Sequence, residues 1–186
     1  MPLKLISFFI IIFLSFSKNI HTNEKEIINN LLLTKNIQFE FEQTTNKKIE
    51  NGICILIFPA KLSCDYNDDK KKRIIIKDNN LTIIQRRYNK IYNYPIKNSP
   101  FVKILYKKNL INFINASQKK IDGKYIFFIS ANEKNKKIKL IFNKENYNFN
   151  GWEINDSYNN NVSFKMKILF KNTKIDKNLF KIPELN

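Results

Sequence analysis

At 186 residues the chain is long enough for one domain with a buried core. Its 43% hydrophobic content, 16 Phe, three Gly and five Pro exclude a disordered or collagen-like chain. A formal charge of +17 invites a nucleic-acid reading. The charge is mostly Lys, in a chain equally loaded with Asn and Ile. Arg, whose planar fork suits base recognition, occurs only at Arg73, Arg86 and Arg87. A solvated lysine surface is therefore expected, with no nucleic-acid partner. Attraction to anionic lipid headgroups stays open, at about 1 kcal/mol per Lys near such a surface.

The N-terminus carries an address. Lys4 supplies a positive charge and Leu5 to Phe16 forms an apolar run, short for a membrane span and of signal-peptide length. Ser15 and Ser17 are the small residues a signal peptidase would read. Residues 1–17 are expected to be a cleaved signal peptide and residues 18–186 a single exported domain.

Residues 24–35 read as a helix. Ile27, Ile28, Leu31 and Leu32 recur at helical spacing, and Thr22 or Asn23 is available as a cap. The period then changes to two. Ile37, Phe39, Phe41 and Gln43 alternate with Gln38, Glu40 and Glu42, as in a half-buried strand. A hairpin follows in "GICILIFPAKLSCDY", residues 52–66. Cys54, Leu56 and Phe58 lie on one face going in, and Leu62, Cys64 and Tyr66 on the same face coming out, around a turn at Pro59-Ala60-Lys61. With 58 facing 62 and 56 facing 64, Cys54 and Cys64 sit diagonally, about 7–8 Å apart. That exceeds ordinary disulfide reach, so two buried free thiols are expected. Two Cys and the lone His21 make no metal site, and no cofactor is expected.

Short strands read at 73–77, 80–86 and 90–94. "NSPFVKIL" then looks like a helix start, with Ser99 as cap, Pro100 in first position and Phe101, Ile104 and Leu105 on one face. Residues 109–117 fit either helix or strand. Four strands follow, near 124–130, 136–143, 147–155 and 161–170, and "LFKIP" closes the chain. A helix, many antiparallel strands and one helical interruption make one barrel-like antiparallel sheet with helices attached.

Catalytic motifs are missing. The sequence holds no Gly-rich phosphate loop, no G-x-S-x-G and no H-E-x-x-H, and its one His sits near the N-terminus. Nothing nominates a carboxylate pair. No catalytic residues are expected, and the protein is read as a non-enzyme.

Four stretches carry a family resemblance: "IQFEFEQT", "NGICILIFPAKLSCDY", "NSPFVKIL" and "FNGWEINDSYNNNVSFKMKILFKNTKIDKNLFKIP". Together they resemble the LolA family of periplasmic outer-membrane lipoprotein carriers, along the whole exported chain. The matching features are Phe39, Phe41 and Gln43, Gly52, Pro59 with Lys61 and Leu62, Tyr66, the Ser-Pro helix start, Trp152, Asp156, Asn172, Phe180 and Pro183. The resemblance implies an unclosed antiparallel β-barrel of about eleven strands with an α-helical lid. It implies a periplasmic carrier whose cavity holds the acyl chains of lipoproteins. The carrier would collect them from an inner-membrane lipoprotein-releasing ABC transporter and pass them to an outer-membrane (LolB-like) acceptor or to the outer membrane directly. A monomer is expected. Cavity residues would be Phe39, Phe41, Leu56, Phe58, Leu62, Cys64 and Tyr66, with Phe101, Ile104 and Leu105 on the lid; Ile28, Leu31 and Leu32 of the first helix would join them. Trp152 and Asp156 would be structural. The family's Arg before the hairpin proline, which takes part in lid control, is Phe58 here. A carrier of another lipid, or a lipoprotein-sensing regulator on the same fold, remains an alternative.

The physical need for such a carrier is simple. Each methylene removed from water contributes about 0.8 kcal/mol, so a multiply acylated protein does not cross an aqueous space bare.

Overall fold

Period-two patterning becomes eleven strands in one sheet. The computed structural model describes residues 22–97, 104–130, 137–155 and 161–184. The expected signal peptide, Phe101 with the Ser99-Pro100 helix start, and Asp156 lie outside these residues.

Helix α1 (Thr22–Leu33) leads into β1 (Asn36–Thr45), β2 (Lys48–Ile57) and β3 (Lys61–Tyr66). Strands β4 (Lys72–Lys77), β5 (Asn80–Gln85) and β6 (Lys90–Pro95) follow, then helix α2 (Lys107–Ala116). The chain returns through β7 (Ser117–Asp122), β8 (Tyr125–Ser130), β9 (Lys137–Asn143), β10 (Phe149–Asn155) and β11 (Asn161–Lys171), and ends near a 3-10 turn at Lys177–Phe180. The strand order is β6-β5-β4-β3-β2-β1-β11-β10-β9-β8-β7. Every neighbouring pair is antiparallel. The sheet does not close on itself: β6 and β7 remain its edges. This is the unclosed barrel that the resemblance implied.

One face of the sheet carries the main core. Phe39, Phe41, Cys54, Leu56, Leu62, Cys64, Leu140, Trp152, Phe164 and Met166 are buried there, with Ile27 and Leu31 of α1 and Leu110 and Ile114 of α2 packed into the same cluster. Its floor is an aromatic stack across neighbouring strands. Trp152 lies flat on Phe164 at 3.9 Å, and Phe164 on Phe41 at 5.1 Å; Tyr66 meets Phe41 edge-on at 4.9 Å. Gly52 makes room for this stack. It pairs with Phe41 on one side and Tyr66 on the other. A Cβ there would fall on the Asp65 carbonyl group and 2.9 Å from the Phe41 ring. On the outer face, Glu40–Lys167, Glu42–Lys165 and Lys139–Glu153 form cross-strand ion pairs. Exposed pairs of this kind contribute little to stability.

Four expectations change. The hairpin turns at Phe58-Pro59-Ala60, one residue earlier than its sequence suggested, with Ala60 left-handed (φ 56°) and the Phe58–Pro59 peptide cis. Leu56 therefore faces Leu62 and Cys54 faces Cys64. Their Cα atoms are 4.1 Å apart and the two cysteines form a disulfide, not free thiols. Residues 109–117 resolve as helix up to Ala116. Ser117–Asp122, which lacks period-two alternation, is the edge strand β7. Finally, Leu32 is 54% exposed. At about 100° per residue it lies roughly 140° around the helix from Ile27, away from the buried stripe of Ile27 and Leu31.

Candidate functional site

The concave face of the sheet and the two helices enclose an apolar cavity. Phe39, Leu56, Phe58, Leu62, Cys64, Tyr66, Ile104 and Leu105 all line it. Phe41 does not. It sits one layer down in the aromatic stack, filling the space that Gly52 leaves. Of the first helix's expected residues, Leu31 lines the cavity and Ile28 packs against the core beside it.

Sequence reading missed a second set of lining residues. Ile74 and Ile76 face inward opposite Cys64 and Leu62. Their alternation is hidden in the uniform run "RIII", because Ile75 is buried on the opposite face. There β3 and β4 are covered by the Lys177–Phe180 turn. Met166 and Ile168 of β11 and Leu110 of α2 complete much of the wall. Asn30, Thr34, Tyr66, Tyr147 and Lys171 provide its polar side chains, besides the Trp152 ring.

The mouth is closed by polar contacts between elements. The Phe58 amide donates to the Lys35 carbonyl and the Ala60 amide to the Leu105 carbonyl, each at 3.0 Å. The hairpin tip is thus bonded to both lid segments. Lys107 of α2 donates to the Leu32 carbonyl at 2.8 Å, near the C-terminus of α1, where a cation suits the helix dipole. Its ammonium lies 5.4 Å over the Phe58 ring, and burial pulls its pKa down. Asn172 holds the same helix end from the other side. Its side chain accepts from the Lys35 amide at 2.6 Å and donates to the Leu33 carbonyl at 3.1 Å.

Deeper in, burial pushes the Tyr66 phenol pKa far up, helped by Glu50 and Asp68. The Lys72 ammonium lies 3.7 Å over the Tyr66 ring and binds Glu50 at 2.6 Å.

With these contacts made, the enclosed volume is about 50 Å³. That holds a few water molecules, well below the several hundred Å³ typical of ligand pockets. A long hydrocarbon chain does not fit in this volume. Among the described residues, no group of three or more His, Cys, Asp or Glu side chains is placed to hold a metal ion. No described helix is long and apolar enough to cross a membrane.

The comparisons with known proteins come from sequence and from fold. A family model described as "Outer membrane lipoprotein carrier protein LolA" matches residues 33–183. No curated protein matches the sequence. Among solved structures, an uncharacterized conserved protein from Thermus thermophilus aligns with a TM-score of 0.56 at 7% identity, covering 87% of this chain and 93% of that one. At that identity the likeness shows the fold alone. A LolA superfamily protein from Nitrosomonas europaea aligns at 0.43 and 6% identity, over 86% of this chain and 97% of that one. A DUF1329 family protein from Desulfovibrio piger aligns at 0.38 and 8% identity, over 86% and 95%.

Proposed function

Because this chain belongs to the LolA family of outer membrane lipoprotein carrier proteins, we propose that its cavity takes up lipoprotein acyl chains and that the protein ferries them through the periplasm from the inner to the outer membrane. The observation that carries this reading is an apolar cavity between an unclosed sheet and two helices, shut by a few hydrogen bonds at its mouth. A carrier must recover much of the hydrophobic free energy of its cargo and still release it. A wall of aliphatic and aromatic side chains under a detachable lid meets both demands. The reading is that of a carrier, not an enzyme.

Its partners in this scheme are acylated lipoproteins, a lipoprotein-releasing ABC transporter in the inner membrane, and an outer-membrane acceptor or that membrane itself. Residues 1–17 act as the cleaved signal peptide, and the mature protein works as a monomer. Transport of another lipid is the second reading, favoured by the same cavity.

Native mass spectrometry of protein purified from periplasm without detergent tests the proposal. A bound acylated lipoprotein is expected, on a chain whose intact mass lacks residues 1–17. Phospholipid alone as cargo would favour the second reading. An empty cavity in well-folded protein would sink both.

Phe58 offers a sharper probe of release. Phe58→Arg would set a second cation beside Lys107. A like-charge pair costs about 1 kcal/mol in bulk water and up to about 4 kcal/mol near a protein surface, at least a several-fold effect on lid opening. The expected result is a folded protein whose melting temperature falls by a few degrees, with several-fold faster dissociation of an acyl probe. An unchanged dissociation rate would remove Phe58 and Lys107 from lid control.

A further inference from the structure

Strand β11 contains a break in register that changes which residue meets the cavity. Phe164, Met166 and Ile168 alternate inward. Continued alternation would put Phe170 inward next. Instead, Phe39 pairs with Ile168 and Gln38 with Phe170, so Leu169 is an extra, unpaired residue. A bulge of this kind re-aims the side chains beyond it. Phe170 is turned out to 55% exposure, and Lys171, opposite the buried Ile37, is turned into the cavity wall.

An ammonium group in this wall is costly unless something compensates it. Its partners here are neutral. Lys171 Nζ donates to Asn30 Oδ1 of α1 at 2.8 Å and to Asn148 Oδ1 ahead of β10. Asn30 is itself fixed, donating to the Tyr147 carbonyl at 3.0 Å and to Asn148 Oδ1 at 3.1 Å. Among the described residues, no carboxylate lies within ion-pair distance of Lys171. Burial pulls its pKa down, the sign of a cation short of a counter-charge. The two amides orient the ammonium from the side of α1 and the turn before β10. The arrangement is a cation held ready at one end of a hydrocarbon-lined space, where α1 crosses the end of β11.

We propose that Lys171 is the anchor for an anionic head group, carboxylate or phosphate, on the amphiphile that fills the cavity. This rests on the second reading, a carrier of another lipid, because the acyl chains of a lipoprotein hang from neutral ester and amide linkages, and it narrows that reading: of two ligands with the same hydrocarbon, the one with an anionic head binds better. The bulge at Leu169 is then a specificity device, since without it the position would present Phe170.

The test uses the full exported chain at neutral pH. Binding of the fluorescent fatty acid cis-parinaric acid is compared with binding of its methyl ester, which has the same chain without the charge. Lysophosphatidic acid and monoacylglycerol serve as competitors, the first with a phosphate head and the second neutral. A charge-assisted hydrogen bond from this half-buried ammonium predicts a preference of about tenfold for the anionic member. Lys171→Gln keeps hydrogen-bonding groups for Asn30 and Asn148 but loses the charge. It is expected to lose the preference, the acid and its methyl ester then binding equally. Loss of preference for both head groups supports an anchor for anions in general; loss only in the phosphate pair assigns it to lipid phosphate, and only in the fatty-acid pair to carboxylate. Equal binding of charged and neutral ligands by the wild type overturns the anchor and leaves the cavity reading standing. So does a preference that survives Lys171→Gln. Equal loss of all ligands in a folded Lys171→Gln variant shows that Lys171 only ties α1 to the sheet. Failure of the wild type to bind any of the four overturns the cavity reading itself, and the anchor with it.

Discussion

Removing the Cys54–Cys64 disulfide is expected to lower the unfolding free energy by about 2–3 kcal/mol, through the loop entropy returned to the unfolded chain. The bond closes a loop with a sequence separation of 10. It joins the central strands β2 and β3, in the wall of the cavity itself. Cys54 is only 1% exposed, so reductant should reach it slowly in the folded state. Urea unfolding of the Cys54→Ala/Cys64→Ala variant, alongside wild type with and without reductant, measures the effect. Alanine is preferred to serine because a buried hydroxyl would add its own desolvation cost. Equal unfolding midpoints in all three samples would mean that packing alone holds the hairpin.

The second large effect is expected at Leu62. It faces Leu56 and Ile76 across the sheet, and all three line the cavity. Leu62→Asp sets a carboxylate among them. The expected result is a loss of about 3–5 kcal/mol in stability and a drop in acyl-probe affinity of roughly a hundredfold or more. Leu62→Met preserves volume and should leave both nearly unchanged. Leu62→Thr is the milder polar variant should the aspartate prevent folding. A melting curve beside each probe titration separates unfolding from lost binding. A folded Leu62→Asp or Leu62→Thr variant that binds the probe normally would show that this wall is ordinary core. Phe41→Asp behaves differently. Phe41 stacks between Phe164 and Tyr66 outside the cavity lining, so unfolding is its expected consequence.

The contrast between Leu62 and Phe41 shows what periodicity conveys. Alternation placed Phe39, Phe41, Leu56 and Leu62 on one face, and all four are buried there. It did not say which of them border empty space, because packing and cavity lining require the same residue types. The disulfide was misread for a geometric reason. Moving the turn by one residue leaves every inward residue inward but changes which pairs stand opposite. Sequence fixes the face more firmly than the partner. Strand β7 was missed because an edge strand with Lys119 and Lys120 need not show a buried stripe. Lys171 was out of reach altogether. Its inward aim depends on one unpaired residue, and a bulge of this kind leaves no mark in the alternation that precedes it.

The two edges of the sheet have a mechanical meaning. β6 and β7 bound the opening, and α2 lies on the stretch of chain that runs from one to the other. Among the described residues, no ladder of interstrand hydrogen bonds joins the two. A closed barrel has a fixed girth, because widening it would break a complete ladder. This sheet can spread at its seam with all ten of its strand pairings intact. The girth of such a sheet is not set by a closed ladder, and the carrier proposed above would use that latitude to hold cargoes of different bulk without giving up a strand pairing.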